Sequence, residues 1–219
     1  MYNVINARKT KRGISHDTIT TDGETRTSSY SAVRGGLSWP MGTMPAYHCI
    51  LGEEHIYFDR DDLRDQRGKL HLLSECEYPG LSIDQMFDKL TDDCARLCCS
   101  TVYTLTEEKY TDYLGAYQNF CHEKKIKIGR LEQAPFAENF QLGASLINDW
   151  LRTGSLILPE QSIVREQLKR ISKQELADKP EDKFYAINGL RFAVAAFHKF
   201  KPVRYGGAWR RNRHSAMAI

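Results

Sequence analysis

Hydrophobic periodicity changes at residue 82 of this chain, and the change constrains the fold more than any other feature. Before residue 82 the apolar residues come in short runs. Ser31–Pro40, Ala46–Gly52 and Lys69–Glu77 read as strands, separated by polar or glycine-bearing stretches. From Ser82 the spacing becomes helical: Ile83, Met86, Phe87, Leu90, Cys94 and Leu97 recur every three to four residues. Ser82 is placed to cap that helix, with Gln85 at the reciprocal capping-box position. Further on, strands at Thr101–Leu105, Lys127–Glu132 and Ser155–Leu158 alternate with helices at Glu107–Lys125, Asn139–Thr153 and Gln161–Arg170. A last helix is expected from Asp178-Lys-Pro-Glu-Asp182 through Phe184, Ile187, Leu190, Val194 and Phe197 to about Phe200, apolar nearly all round. Strands first, then strands alternating with helices, then a helical finish predicts an α/β fold whose mixed sheet is covered on both faces.

The 219 residues divide on this reading into three parts. Residues 1–30 are rich in Thr, Ser, Gly and charge, and are expected to form a flexible arm. Residues 31–200 carry the periodic pattern, and 201–219 form a basic tail. No stretch approaches the roughly 20 apolar residues of a membrane helix. Met1–Arg12 is polar and basic, so no secretory leader is expected there. The six cysteines are then expected to be reduced thiols inside a cell.

A net charge of +3 conceals an asymmetry. Met1–Gly36 holds six Lys/Arg against three Asp/Glu, and Lys183–Ile219 holds eight against none, which leaves −8 for the middle. A basic end on an acidic body points to a polyanionic partner, nucleic acid first. In the tail, Lys199, Lys201, Arg204, Arg210, Arg211 and Arg213 interleave with Tyr205 and Trp209. Cations neutralise phosphates and aromatic rings stack on exposed bases, so these residues, Trp209 among them, are the candidate nucleic-acid contacts. The alternatives are a solubilising tail or a tail that docks on an acidic protein.

Three phrases carry a family resemblance: Gly35-Gly-Leu-Ser-Trp-Pro40 before Ala46–Gly52, Ala144–Pro159, and Pro180-Glu-Asp-Lys-Phe-Tyr-Ala-Ile-Asn-Gly-Leu-Arg191. Together they resemble the nuclease domain of a phage terminase large subunit. That resemblance implies an RNase H-like fold and endonucleolytic cleavage of double-stranded DNA during viral genome packaging. It also implies Mg²⁺ or Mn²⁺ held between carboxylates, partners that include an ATPase subunit or domain and a portal-like assembly, and a location in the host cytoplasm. The family places one Asp at the end of the first strand, one after the central strand and one at the head of the last helix. Only the third is matched, at Asp182. The first falls near Ser38-Trp39 and the second near Thr104-Leu105.

Other carboxylates are candidate replacements. Glu75 and Glu77 share a strand face, and Glu53 ends the preceding strand. The candidate catalytic residues are therefore Asp182 and Glu75, with Asp182, Glu75, Glu77 and Glu53 as candidate metal ligands. The competing expectation is that these acids are ordinary strand-end and helix-start residues. Cys94 and Cys98, with Cys99 and Cys121, have spacing compatible with zinc, but Cys94 and Cys121 lie on apolar faces and core packing is expected. His48, His71 and His198 are expected as core or edge histidines. No phosphate-binding glycine loop of either common kind occurs, so no nucleotide motor is expected within these residues.

Overall fold

The structure, a computed structural model, describes residues 3–11, 13–19, 23–54, 68–136, 139–171 and 183–197. The chain begins with three antiparallel strands, β1 (Asn3–Thr10), β2 (Gly13–Ile19) and the long β3 (Thr25–Ser38). β4 (Ala46–Glu54) and β5 (Leu70–Tyr78) continue the meander. Helix α1 (Ile83–Arg96) leads to β6 (Thr101–Thr104), which returns parallel to β3. Helix α2 (Thr111–Glu123), β7 (Arg130–Gln133), α3 (Phe140–Arg152), β8 (Leu156–Ile157), α4 (Ile163–Arg170) and α5 (Tyr185–Phe197) complete the described elements. All eight strands belong to one mixed sheet.

β4 shows why the strand runs lack alternation. Tyr47, Cys49 and Leu51 pack into one apolar layer, while Ala46 and Ile50 pack into the other. A strand buried on both faces needs apolar residues at every position. The first layer holds α3, α4 and α5, with Ile147, Trp150, Leu190 and Val194. The second holds α1 and α2, with Phe87, Leu90, Leu97 and Tyr117. The reciprocal cap at Ser82 forms as expected: its Oγ accepts from Gln85 N at 3.3 Å, and Gln85 Oε1 accepts from Ser82 N at 3.1 Å.

The expected N-terminal arm is instead largely sheet. β1, β2 and the first six residues of β3 form a hydrogen-bonded ladder over Asn3–Thr10, Gly13–Ile19 and Thr25–Tyr30. The composition concealed this because the inner face is built from small or polar side chains. His16 is fully buried, Ser15 and Thr18 are nearly so, and Ala7 and Ile14 pack against the core. His16 Nε2 lies 3.0 Å from the Leu97 carbonyl oxygen and therefore donates to it, which ties the hairpin to the end of α1. Gly13, with φ 139°, is required: a Cβ there would lie 2.2 Å from the Tyr30 carbonyl oxygen. The beginning of the last predicted helix, at Asp178–Asp182, and the basic tail lie outside the described residues.

Candidate functional site

One end of the sheet gathers the C-termini of β3, β5 and β6, the N-terminus of β4 and the head of α5. Ser38 pairs with Tyr47, and Tyr47 pairs with Glu77, so the three stand in a row across β3, β4 and β5. Glu77 Oε1 accepts the Tyr185 hydroxyl at 2.6 Å, which joins that row to the first residue of α5. The Tyr47 and Tyr185 rings meet edge-on at 6.1 Å.

Glu75 lies two residues back on the same face, and its carboxylate is occupied. Oε2 accepts from the Tyr47 hydroxyl at 2.8 Å, Ser162 Oγ at 3.3 Å and Val164 N at 3.4 Å, while Oε1 accepts from Ile163 N at 3.0 Å. Two of these donors are free N–H groups of the first turn of α4, where a negative charge also suits the helix dipole. Gln167 of α4 repeats the device on α5: its Oε1 accepts from Ala186 N at 3.0 Å and Ile187 N at 3.3 Å. At the other end of α5, Arg34 Nη1 donates to the Ala196 carbonyl. Glu75 thus positions α4, α4 positions the head of α5, and β3 holds its tail.

Burial raises both phenols at this end. Tyr47 is pushed well above the usual tyrosine range by burial and by nearby Cys49 and Glu75. Tyr185 is pushed up to about 12 by burial and by its bond to Glu77. Both are neutral donors near pH 7.

The acid positions implied by the family resemblance hold other chemistry. Ser38 is buried. Thr104 is fully buried and its hydroxyl donates to the Leu37 carbonyl at 2.8 Å, while Trp39 Nε1 donates to the Leu105 carbonyl at 3.0 Å. These side chains staple β3 to β6. Glu53 sits at the far end of β4, paired with Leu70 and accepting the Ser31 hydroxyl at 2.6 Å. Leu70 and Glu75 are five residues apart on β5, about 17 Å of strand, so Glu53 does not join Glu75 and Glu77. Asp182, Lys199, Lys201, Arg204, Trp209, Arg210, Arg211 and Arg213 lie outside the described residues. Among the described residues no group of three or more His, Cys, Asp or Glu could hold a metal ion. Among the described residues, the carboxylates at this end of the sheet, one anchored and one bonded to Tyr185, do not by themselves fit a two-ion centre.

Sequence reasoning missed a second polar cluster, on the opposite face of the sheet. His48 is fully buried, with Nδ1 against the Tyr78 hydroxyl and Nε2 at 3.1 Å from Asp93 Oδ2. Asp93 also accepts from Ser74 Oγ at 2.7 Å and Arg96 Nη2 at 2.5 Å. Burial pushes the Asp93 carboxyl up, but the bonds from His48, Arg96 and Ser74 outweigh it and hold the group well below the usual carboxylate range. The only sequence signal is a polar residue flanking the apolar stripe of α1. Cys94 and Cys99 are buried in the α1–α2 layer. Its thiol hydrogen bond with Cys99, which favours the protonated form, and burial raise the Cys94 thiol well above its ordinary value.

No protein-family model matches the sequence, and no curated protein does. Solved structures do match. The large terminase nuclease from the thermophilic phage G20c, with bound zinc, aligns over 89% of this chain and 94% of its own, with a TM-score of 0.52 and 9% identity. The fold is RNase H-like. The large terminase nuclease domain of bacteriophage SPP1, with bound Mn, covers 76% of this chain and 87% of its own, at a TM-score of 0.47 and 14% identity. Thermus thermophilus RuvC covers 75% and 93%, at 0.40 and 14%. The mixed sheet between two helical layers has the RNase H-like fold that the resemblance implied, similar to that of the G20c nuclease. No helix among the described residues is long and apolar enough to cross a membrane.

Proposed function

We propose that this chain is a terminase-like module that engages double-stranded DNA during viral genome packaging, working in the host cytoplasm beside an ATPase subunit or domain and a portal-like partner. The observation that carries this reading is a retained scaffold with replaced donors. The strand order and helical layers are those of an RNase H-like domain, while Ser38 and Thr104 stand where the resemblance calls for aspartates. The Thr104 hydroxyl is already committed to the Leu37 carbonyl, and hydroxyls do not bind hard cations as carboxylates do. On this reading the domain holds and orients the duplex, and the basic tail contributes sequence-independent contacts to phosphate.

A second reading, metal-dependent phosphodiester hydrolysis, is favoured by one contact. Glu77 binds Tyr185 at the head of α5, three residues after Asp182 in the chain. Glu77 and Asp182 would be the ligands of a bound Mg²⁺ or Mn²⁺, which would supply Lewis-acid activation of water. Glu75 would act as the anchor of α4 that keeps the helix head in place.

One experiment separates the two. Supercoiled plasmid is incubated with an excess of the full chain and Mn²⁺ or Mg²⁺. A retarded but intact plasmid supports the binding module. Nicking that disappears in Asp182→Asn and Glu77→Gln, with binding retained, supports the hydrolytic reading. No retardation in low salt would remove DNA as the partner.

A further inference from the structure

The registers place two lysine-bearing segments on one edge of the sheet. Tyr30 of β3 pairs with Glu54 of β4 on one side and with Ile14 of β2 on the other. Gly35 likewise pairs with Ile50 of β4 and with Val102 of β6. A strand has two edges, so β2 and β6 lie along the same edge of β3, one after the other. β1 continues outward from β2, and β7 continues outward from β6. The β1–β2 turn therefore faces the entry to β6 and β7 end to end. The gap along β3, Tyr30 to Arg34, is four residues, about 13 Å.

Both sides of that gap are cationic. The turn side carries Lys9 and Lys11, and the connection from α2 to β7 carries Lys125 and Lys127, all four exposed. None of the four makes an ion pair among the described residues. Neighbouring cations are neutralised instead: Arg8 by Asp17, Lys124 by Asp88 and Arg130 by Glu132. Within residues 7–13 and 122–130 the single acid is Glu123. The backbone fixes these segments. His16 bonds the Leu97 carbonyl, Gly129 N donates to the Cys99 carbonyl at 3.2 Å, and Arg130 N donates to the Ser100 carbonyl at 2.9 Å. Ile126 and Ile128 turn inward against the core, which leaves Lys125 and Lys127 outward.

We infer that this edge is a second duplex-DNA contact, separate from the C-terminal tail, in which Lys9 and Lys11 on one side and Lys125 and Lys127 on the other grip the phosphodiester backbone. The inference rests on the DNA-engaging reading and gives it a surface. Charge complementarity names the occupant. The two segments hold no Phe, Tyr or Trp, so they lack the stacking platforms that single strands need. They also offer no outward apolar face for a membrane. Uncompensated lysines on a rigid frame match regularly spaced phosphates.

The test measures binding of a fluorescent 24-base-pair duplex, roughly two helical turns, across a salt series. Lys9→Glu/Lys11→Glu and Lys125→Glu/Lys127→Glu are compared with the unaltered full chain. Circular dichroism checks that these exposed positions leave the fold intact. Four engaged phosphates contribute about 3.6 to the salt slope and make affinity about 150-fold weaker at 200 mM than at 50 mM salt. Each double variant should lower the slope by about two and weaken binding at least about tenfold at 200 mM salt. Slopes unchanged in both variants while the unaltered chain binds would overturn this surface and leave the DNA reading standing. An unaltered chain that binds polyglutamate and not duplex would overturn both.

Discussion

Gly36 of β3 and Gly189 of α5 meet backbone to backbone: a Cβ on Gly36 would lie 1.9 Å from the Gly189 carbonyl oxygen. A Cβ on Gly189 would in turn meet the Tyr47 ring at 2.7 Å. This approach brings α5 down onto β3 and β4 and puts Tyr185 beside Tyr47 and Glu77. Gly36→Ala has no flexible neighbour to displace, because the obstacle is main chain. It should destabilise the fold by about 3 kcal/mol or more, read as a lowered urea midpoint.

Glu75 is expected to report as a structural carboxylate. Glu75→Ala leaves Ile163 N, Val164 N and the Tyr47 hydroxyl short of an acceptor, which should cost about 2–4 kcal/mol in chemical denaturation. Glu75→Gln keeps one acceptor oxygen and should cost less. A neutral effect of both substitutions would show that α4 is held by other contacts.

One buried group, His16, and one half-buried group, Asp93, set opposite ends of the acid response. Burial lowers the His16 pKa from 6.5, and Arg96 adds to this, while the Leu97 bond opposes it. The unfolded chain then binds a proton that the folded chain refuses, so stability is lost as pH falls below about 6.5. His16→Gln keeps a donor toward Leu97 and does not titrate. Its melting temperature should fall less between pH 7.5 and pH 5.5, roughly that interval, than that of the unaltered chain.

Asp93 acts lower on the scale. Its folded pKa is depressed, so its contribution is complete above the unfolded value near 3.8 and fades as pH falls below that toward the folded value. Asp93→Asn should be less stable at neutral pH by about 1.5–3 kcal/mol, and the difference should shrink in strong acid.

The tail gives a prediction independent of the sheet edge. Removing Lys199–Ile219 deletes six Lys/Arg. If those cations engage phosphate, the salt slope of duplex binding should fall by up to about five. If the tail merely aids solubility, the slope should stay put while the protein becomes easier to precipitate.

What the sequence alone determined is the scaffold. The strand runs at Ala46–Gly52 and Lys69–Glu77, the helical stripe from Ile83 to Leu97 and its Ser82–Gln85 cap each depend on near neighbours, and local pattern encodes them fully. The tertiary structure decided the rest, because each remaining feature joins residues far apart in the chain. The N-terminal ladder is stabilised by pairing with β3 and by His16 reaching Leu97, so its composition reads as an arm. Glu75 looks like a free strand acid until α4, nearly ninety residues on, brings its N–H groups to it. Glu75 and Glu77 share a face, as parity requires, yet one anchors a helix and the other meets Tyr185. Which carboxylate is spoken for, and which lysines stand side by side, depends on register and docking, and no single stretch of sequence carries that information.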